Sequence, residues 1–317
     1  MTSSMLLSAA TFIYGLAGFL YCFAWVFKKP GAGRLASWVT LGGLVANTAG
    51  IGLRWVESYQ MGFGHAPLSN LYESLIFFAW TIALIYLYIE WRYQNRVIGA
   101  FSAPLAFLAM AYASLSPNIS DRIQPLIPAL KSNWLIAHVI TCFIGYGAFA
   151  VAFGVSIMYL LKSRQGESEG GLVGRFPSTL MLDELTHQLG MFGFLFLSAG
   201  IITGAVWANS AWGRYWGWDP KETWSLITWF IYAALLHARM MRGWRGRRIA
   251  WLSIVGFGAV LFTYFGVNLL PGLHSYQSMG QGFFLDNSER DKVQNRPKFH
   301  SIQARAADIL LRIPMVD

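Results

Sequence analysis

The stretch NWLIAHVITCFIGYGAFAVAFGVSIMYLL, Asn133 to Leu161, contains no Asp, Glu, Lys or Arg. Crossing a hydrocarbon core of about 30 Å takes roughly 20 apolar residues in a helix, so this run alone is long enough to span a bilayer. Seven more runs of similar character flank it, at about 4–27, 35–54, 70–91, 97–115, 190–209, 221–240 and 249–270. The composition agrees: 55% of the 317 residues are hydrophobic, 16% aromatic and only 12% charged, with a mean hydropathy of +0.44. The expected fold is an all-α integral membrane protein of about eight transmembrane helices. No basic residue precedes the first run and Lys28-Lys29 follow it, so it reads as a retained helix rather than a cleaved signal.

The net charge of +9 would suggest nucleic acid in a soluble protein, but here the cations punctuate the apolar runs and give a topology. One set of alternate loops holds Lys28, Lys29, Arg34, Arg92, Arg96, Lys162, Arg164, Arg175, Arg239, Arg242, Arg245, Arg247 and Arg248, thirteen in all. The other set, before the C-terminal tail, holds Arg54, Arg122, Lys131, Arg214 and Lys221. By the positive-inside rule the first set is cytoplasmic and both termini lie outside. Residues 1–274 form a polytopic membrane domain, and 275–317 a polar extracytoplasmic tail with a weakly amphipathic end. Residues 162–189, rich in Gly, Ser and Glu, read as a mobile loop. Cys22 and Cys142 both sit in apolar runs, so the chain supplies no CxxC redox or metal pair. It also lacks a phosphate-binding glycine motif.

Histidines within spans default to functional hypotheses. His138 lies in the first outer turns of the fifth helix, and His274 follows the eighth, where Pro271 and Gly272 end it. Between them in the chain is an outer loop, 210–222, inside the segment WGRYWGWDPKETW, Trp212 to Trp224. Trp207, Trp229, Trp244 and, taken singly, Trp212 are explained by an interfacial aromatic belt. Trp216, Trp218 and Trp224, crowded around the Asp219-Pro220 turn, are better explained as a ligand platform. Two outer imidazoles beside flat rings suit a bis-histidine haem site, whereas zinc wants three or four clustered ligands. His237 lies near the cytoplasmic end of the seventh helix; His65, His187 and His300 fall in an outer loop, at the inner start of the sixth helix and in the tail. Asp219 reads first as a helix N-cap, with Pro220 at the first helical position and Glu222 closing a capping box. Asn70 and Glu73 repeat the device at the third helix. Arg214 and Lys221 read as solvated interfacial cations, with pairing to haem propionates the alternative.

WGRYWGWD fits the WGxxWxWD pattern of tryptophan-rich haem-handling proteins. The chain resembles the CcsA/ResC-type proteins of System II cytochrome c biogenesis there and at PLSNLYESLIFFAW, SNWLIAHVITCFIGYGAF, GMFGFLFLSAGIITGAVWAN and FTYFGVNLLPGLHSY. The resemblance implies a membrane subunit that receives haem b from the inner side and presents it at the outer face. There the haem vinyl groups are joined to the CxxCH thiols of an exported apocytochrome c. It implies that His138 and His274 are outer axial ligands and that His237 binds haem in transit. Trp212, Trp216, Trp218, Asp219 and Trp224 present the ring. It also implies a ResB/Ccs1-like membrane partner that supplies the second inner ligand, a thiol-reducing system, and a bacterial cytoplasmic membrane rather than a thylakoid. Nucleic acid has no part in this reading. The rival readings are a System I-like haem delivery protein, a small-solute transporter without haem chemistry, which would show broken mid-membrane helices, and a b-type electron-transfer subunit, which would need four intramembrane ligands.

Overall fold

A computed structural model describes residues 2–126, 130–165 and 170–269. Eight long helices run up and down through this part of the chain: α1 (Ser3–Phe27), α2 (Pro30–Gln60), α3 (Leu71–Tyr93), α4 (Gly99–Leu115), α5 (Asn133–Gln165), α6 (Thr179–Trp212), α7 (Pro220–Arg242) and α8 (Arg247–Tyr264). Short 3-10 turns precede α4, precede α6 and follow α8. The protein is an all-α membrane protein. Among the described residues five stretches are long and apolar enough to cross a membrane: α1, α3, Arg96–Leu115, α5 and α6.

Four of the eight helices, α1, α3, α6 and α7, begin at a side-chain cap. Thr2, Asn70 and Ser178 accept backbone N–H groups of the first turns of α1, α3 and α6. Gly213 and Gly243 take left-handed conformations that close α6 and α7. The α1–α2 and α3–α4 turns line one cavity, Arg175 before α6 donates to the Trp25 and Val26 carbonyls, and Asp183 near the start of α6 holds Arg239 and Gly246 at the α7–α8 turn.

Two expectations are corrected. The sixth helix starts at Thr179, about three turns earlier than its apolar run, so His187 is inside a helix and the stretch expected as one long loop, 162–189, is largely helical. The polar residues that hid this start are satisfied by packing: Asp183, 6% exposed, accepts Arg239 Nη1 at 2.6 Å and the Gly246 N–H at 2.6 Å. Likewise Arg54 is not a loop cation. It is buried within α2, its Nε donates to Glu73 Oε1 at 2.8 Å, and its Nη1 donates to the Asp121 carbonyl at 2.7 Å.

The core is centred on α5, which packs against α3, α6 and α8. Its closest neighbour is α6, and small residues set the approach. A Cβ at Gly145 would stand 3.0 Å from the Gly193 carbonyl oxygen, one at Gly200 would stand 2.5 Å from Cys142 Sγ, and one at Gly193 would enter the Phe149 ring. Lacking those carbons, the two backbones meet along a ladder of rungs, Phe149 with Gly193, Gly145 with Leu197, and Cys142 with Gly200. Close packing of this kind substitutes for the hydrophobic drive that helices lack inside lipid. On the far side of the ladder Phe149 stacks on Tyr232 of α7, ring centroids 3.5 Å apart and planes at 10°.

Candidate functional site

The last rung of the α5–α6 ladder carries His138. Its Nδ1 lies 2.7 Å from the carbonyl oxygen of Gly200, and a Cβ at Gly204 would stand 2.6 Å from the same nitrogen. A carbonyl only accepts, so Nδ1 is the donor; in the neutral ring this leaves the lone pair on Nε2. That is the tautomer a metal-binding imidazole needs, with its second nitrogen oriented by a backbone carbonyl. The ring plane is fixed as well: the Trp207 indole stacks on it, centroids 6.2 Å apart and planes at 8°.

Trp207 joins the histidine to the tryptophan loop. It is 3% exposed and meets Trp212 edge-on, centroids 6.2 Å apart and planes at 76°. Sequence reading assigned Trp207 to an interfacial belt and so missed it. The Gly200-to-Gly204 spacing, a small-xxx-small pattern, was the signal that would have drawn attention to this face of α6.

Within the loop the capping box holds as expected. The Asp219 side chain accepts N–H groups of the first turn of α7, and the Glu222 carboxylate reaches back to the Asp219 N–H. The same Glu222 Oε2 also accepts the Gly217 N–H at 2.7 Å, so one carboxylate ties down the turn that sets Trp216 and Trp218. Trp218 has φ 55, a left-handed conformation rare for so large a side chain. The result is an indole 69% exposed that meets Trp216 edge-on at 5.7 Å. Trp224 faces elsewhere, against Phe262 of α8 at 4.1 Å.

The tryptophans therefore form pairs, Trp207 with Trp212 and Trp216 with Trp218, rather than one continuous platform. The buried indole N–H groups of Trp212 and Trp216 have no hydrogen-bond acceptor among the described residues. A buried donor without an acceptor is costly, and a carboxylate-bearing flat ring seated here would supply one. The Arg214 guanidinium lies over Gly217, where a Cβ would stand 2.7 Å from its Cζ.

His237 is at the other end of the bundle, seventeen residues and about 25 Å along α7 from Pro220. Its side chain is exposed, on the helix face that also bears Phe230, 56% exposed. His187 is half-buried on neighbouring α6, and its Nδ1 has no partner among the described residues. Arg239, two residues beyond His237, ties the two helices together through Asp183 and through Glu184 at 3.0 Å. His65 is buried between the Ala66 and Gln124 carbonyls, each 3.0 Å from a ring nitrogen, and so joins two loops. His274, His300 and the 275–317 tail lie outside the described residues.

Residues 68–274 match the family described as "Cytochrome C assembly protein". The chain is similar to the "Cytochrome c biogenesis protein CcsA" of Guillardia theta, 42% identical over 71% of this chain and 80% of that one. It is similar also to that of Synechococcus elongatus, 41% identical over 75% of this chain and 86% of that one, and to that of Gloeobacter violaceus, 39% identical over 81% and 90%. Among solved structures it shares the fold of "Cytochrome c Heme Lyase CcmF", with a TM-score of 0.64 at 19% identity, over 84% of this chain. The chain spans 47% of that protein's length.

Proposed function

The chain belongs to the cytochrome C assembly protein family, as a CcsA-type cytochrome c biogenesis protein, and from that premise we propose that it carries haem to the tryptophan-loop end of the bundle and presents it there to an apocytochrome c. The observation that carries this reading is His138, with its tautomer set by Gly200 and its plane set by Trp207, standing beneath the loop. In this proposal haem b is the substrate, held through its iron by His138 and His274.

Strong bis-imidazole ligation keeps the iron six-coordinate and limits oxygen access. The indole N–H groups of Trp212 and Trp216 and the Arg214 guanidinium receive the propionates. Trp216 and Trp218, on the turn held by Asp219 and Glu222, orient the ring so that its vinyl edge meets the CxxCH thiols; Trp224, packed on Phe262, has no part in this. The protein's contribution is proximity and orientation. Each thiol adds S–H across a vinyl C=C bond, forming a thioether with no net oxidation; a thiol-reducing system keeps both sulfurs as thiols beforehand.

The cation-rich end faces the cytoplasm by the positive-inside rule, and His237 meets incoming haem there. Its exposure on the outside of α7 favours a second inner ligand from another subunit, a ResB-like membrane partner.

The test is a reduced and oxidised absorption spectrum of the complex purified from haem-sufficient cells, for the wild type and for His138→Ala, His274→Ala and His237→Ala. The expected result is a low-spin signal lost or converted to high spin in the first two variants, with loading reduced in the third. Wild-type complex that carries no haem would overturn the reading.

A further inference from the structure

At the end of the bundle opposite the tryptophan loop, the α1–α2 and α3–α4 turns close around a cavity of about 310 Å³. Lys28, Lys29 and Arg96 line it, with Gln94, Asn95 and Trp25; the Gln94 amide donates to the Trp91 carbonyl and the Asn95 amide oxygen accepts the Val97 N–H, so the cations are the groups left to meet a ligand. Beneath it Glu90, 6% exposed, accepts hydrogen bonds from Tyr21 Oη at 2.7 Å, Tyr86 Oη at 2.6 Å, the Ser37 hydroxyl and Arg96 Nε at 3.1 Å.

This network fixes Arg96 by one edge only. Its Nε is used, while neither Nη nitrogen makes a hydrogen bond among the described residues, and the side chain is 38% exposed. Lys28 and Lys29 have no carboxylate within ion-pair distance among the described residues. Three cations against the single Glu90 carboxylate leave the region at a net +2.

The surroundings select the anion. Val26 and Phe27, in the last turn of α1 and next to the lysines, are 38% and 60% exposed, so bilayer-facing apolar surface begins where the cationic rim ends. A ligand with a negative head and an apolar body satisfies both. The family match starts at residue 68, so α1 and α2, which supply the lysine side of the cavity, lie outside it. We infer that this cavity is a site for the phosphate of an anionic phospholipid headgroup in the cytoplasmic leaflet, with the acyl chains along the end of α1. The shared chemistry, a phosphate oxyanion, is also that of free phosphate.

The experiment is native mass spectrometry of the full chain released from nanodiscs containing phosphatidylglycerol and phosphatidylcholine in equal parts. The wild type is expected to retain phosphatidylglycerol preferentially. Lys28→Gln/Lys29→Gln is expected to lower that retention on the order of tenfold. Lys28→Gly is a second variant with the turn preserved, since residue 28 has φ 54 and glycine accepts that conformation without strain. Arg245→Gln/Arg247→Gln removes the same charge from the same end of the bundle without touching the cavity and is expected to change nothing. An equal fall in that control would reduce the effect to general surface charge and overturn the site. So would equal retention of both lipids by the wild type. Displacement of the lipid by millimolar inorganic phosphate would assign the site to free phosphate instead.

Discussion

His138 Nδ1 and the Gly200 carbonyl oxygen, 2.7 Å apart, belong to helices whose closeness depends on hydrogen atoms where side chains would be. Gly204→Ala tests that dependence. Alanine gains up to about 1 kcal/mol of helix propensity over glycine, yet the new Cβ would stand 2.6 Å from His138 Nδ1. The expected variant is as helical as the wild type but has a displaced imidazole, read as loss of low-spin haem signal with no fall in protein yield. An unchanged spectrum would show that the ring position is not set by this contact.

Glu222 separates structure from chemistry in the loop. Glu222→Ala removes the acceptor of both the Gly217 and Asp219 N–H groups, and a cost of about 1–2 kcal/mol is expected in thermal unfolding. Glu222→Gln keeps one acceptor oxygen and is expected to lose less than half of that. If the glutamine variant folds normally and yet abolishes cytochrome c maturation, the carboxylate has a chemical role beyond starting α7.

Asp183→Ala leaves Arg239, whose side chain is 8% exposed, without its closest carboxylate and leaves the Gly246 N–H without an acceptor. Removing one member of a buried pair costs about 3–5 kcal/mol. Removing both, as Asp183→Leu/Arg239→Met, is expected to cost less than the single change. Melting temperatures of the three proteins in one detergent decide this.

The Arg54–Glu73 pair, with side chains 2% and 1% exposed, also holds the segment around Asp121 through Arg54 Nη1. Glu73→Ala is therefore expected to make the exposed Arg122 markedly more susceptible to trypsin. Cleavage of the wild type should stay slow in high salt, because a buried pair is little screened. Equal cleavage of variant and wild type would detach the loop from the ion pair.

The eight long helices of the described residues and the Asp219–Glu222 capping box were legible in the chain, because long apolar runs and short cap motifs are local signals. The start of α6 was not. Asp183, Glu184 and His187 look like loop residues until Arg239, more than fifty positions away, is placed beside them. Arg54 was hidden for the same reason, since its burial depends on Glu73 and Asp121 arriving from other elements. For the site, the candidate residues were legible but not their pairing. Which indole stacks on His138 depends on how α5 faces α6, and that in turn depends on where glycine falls on the contacting surface.

The α5–α6 ladder also sets what the pair of helices is able to do. From Gly193 to Gly204 it covers about 16 Å; side chains of Phe149, Cys142 and His138 fill the space at Gly193, Gly200 and Gly204, and the backbone of α6 itself fills it at Gly145. Sliding one helix past the other by a turn would press the Phe149 ring against Leu189 or Leu197 in place of Gly193. The register is thus keyed like a lock with a single working cut, which sets the height of His138 on α5 against Gly200 and Gly204 on α6. Under the proposed function, haem is brought to that height, and the part of the site free to respond to an arriving apocytochrome is the short connection between α6 and α7.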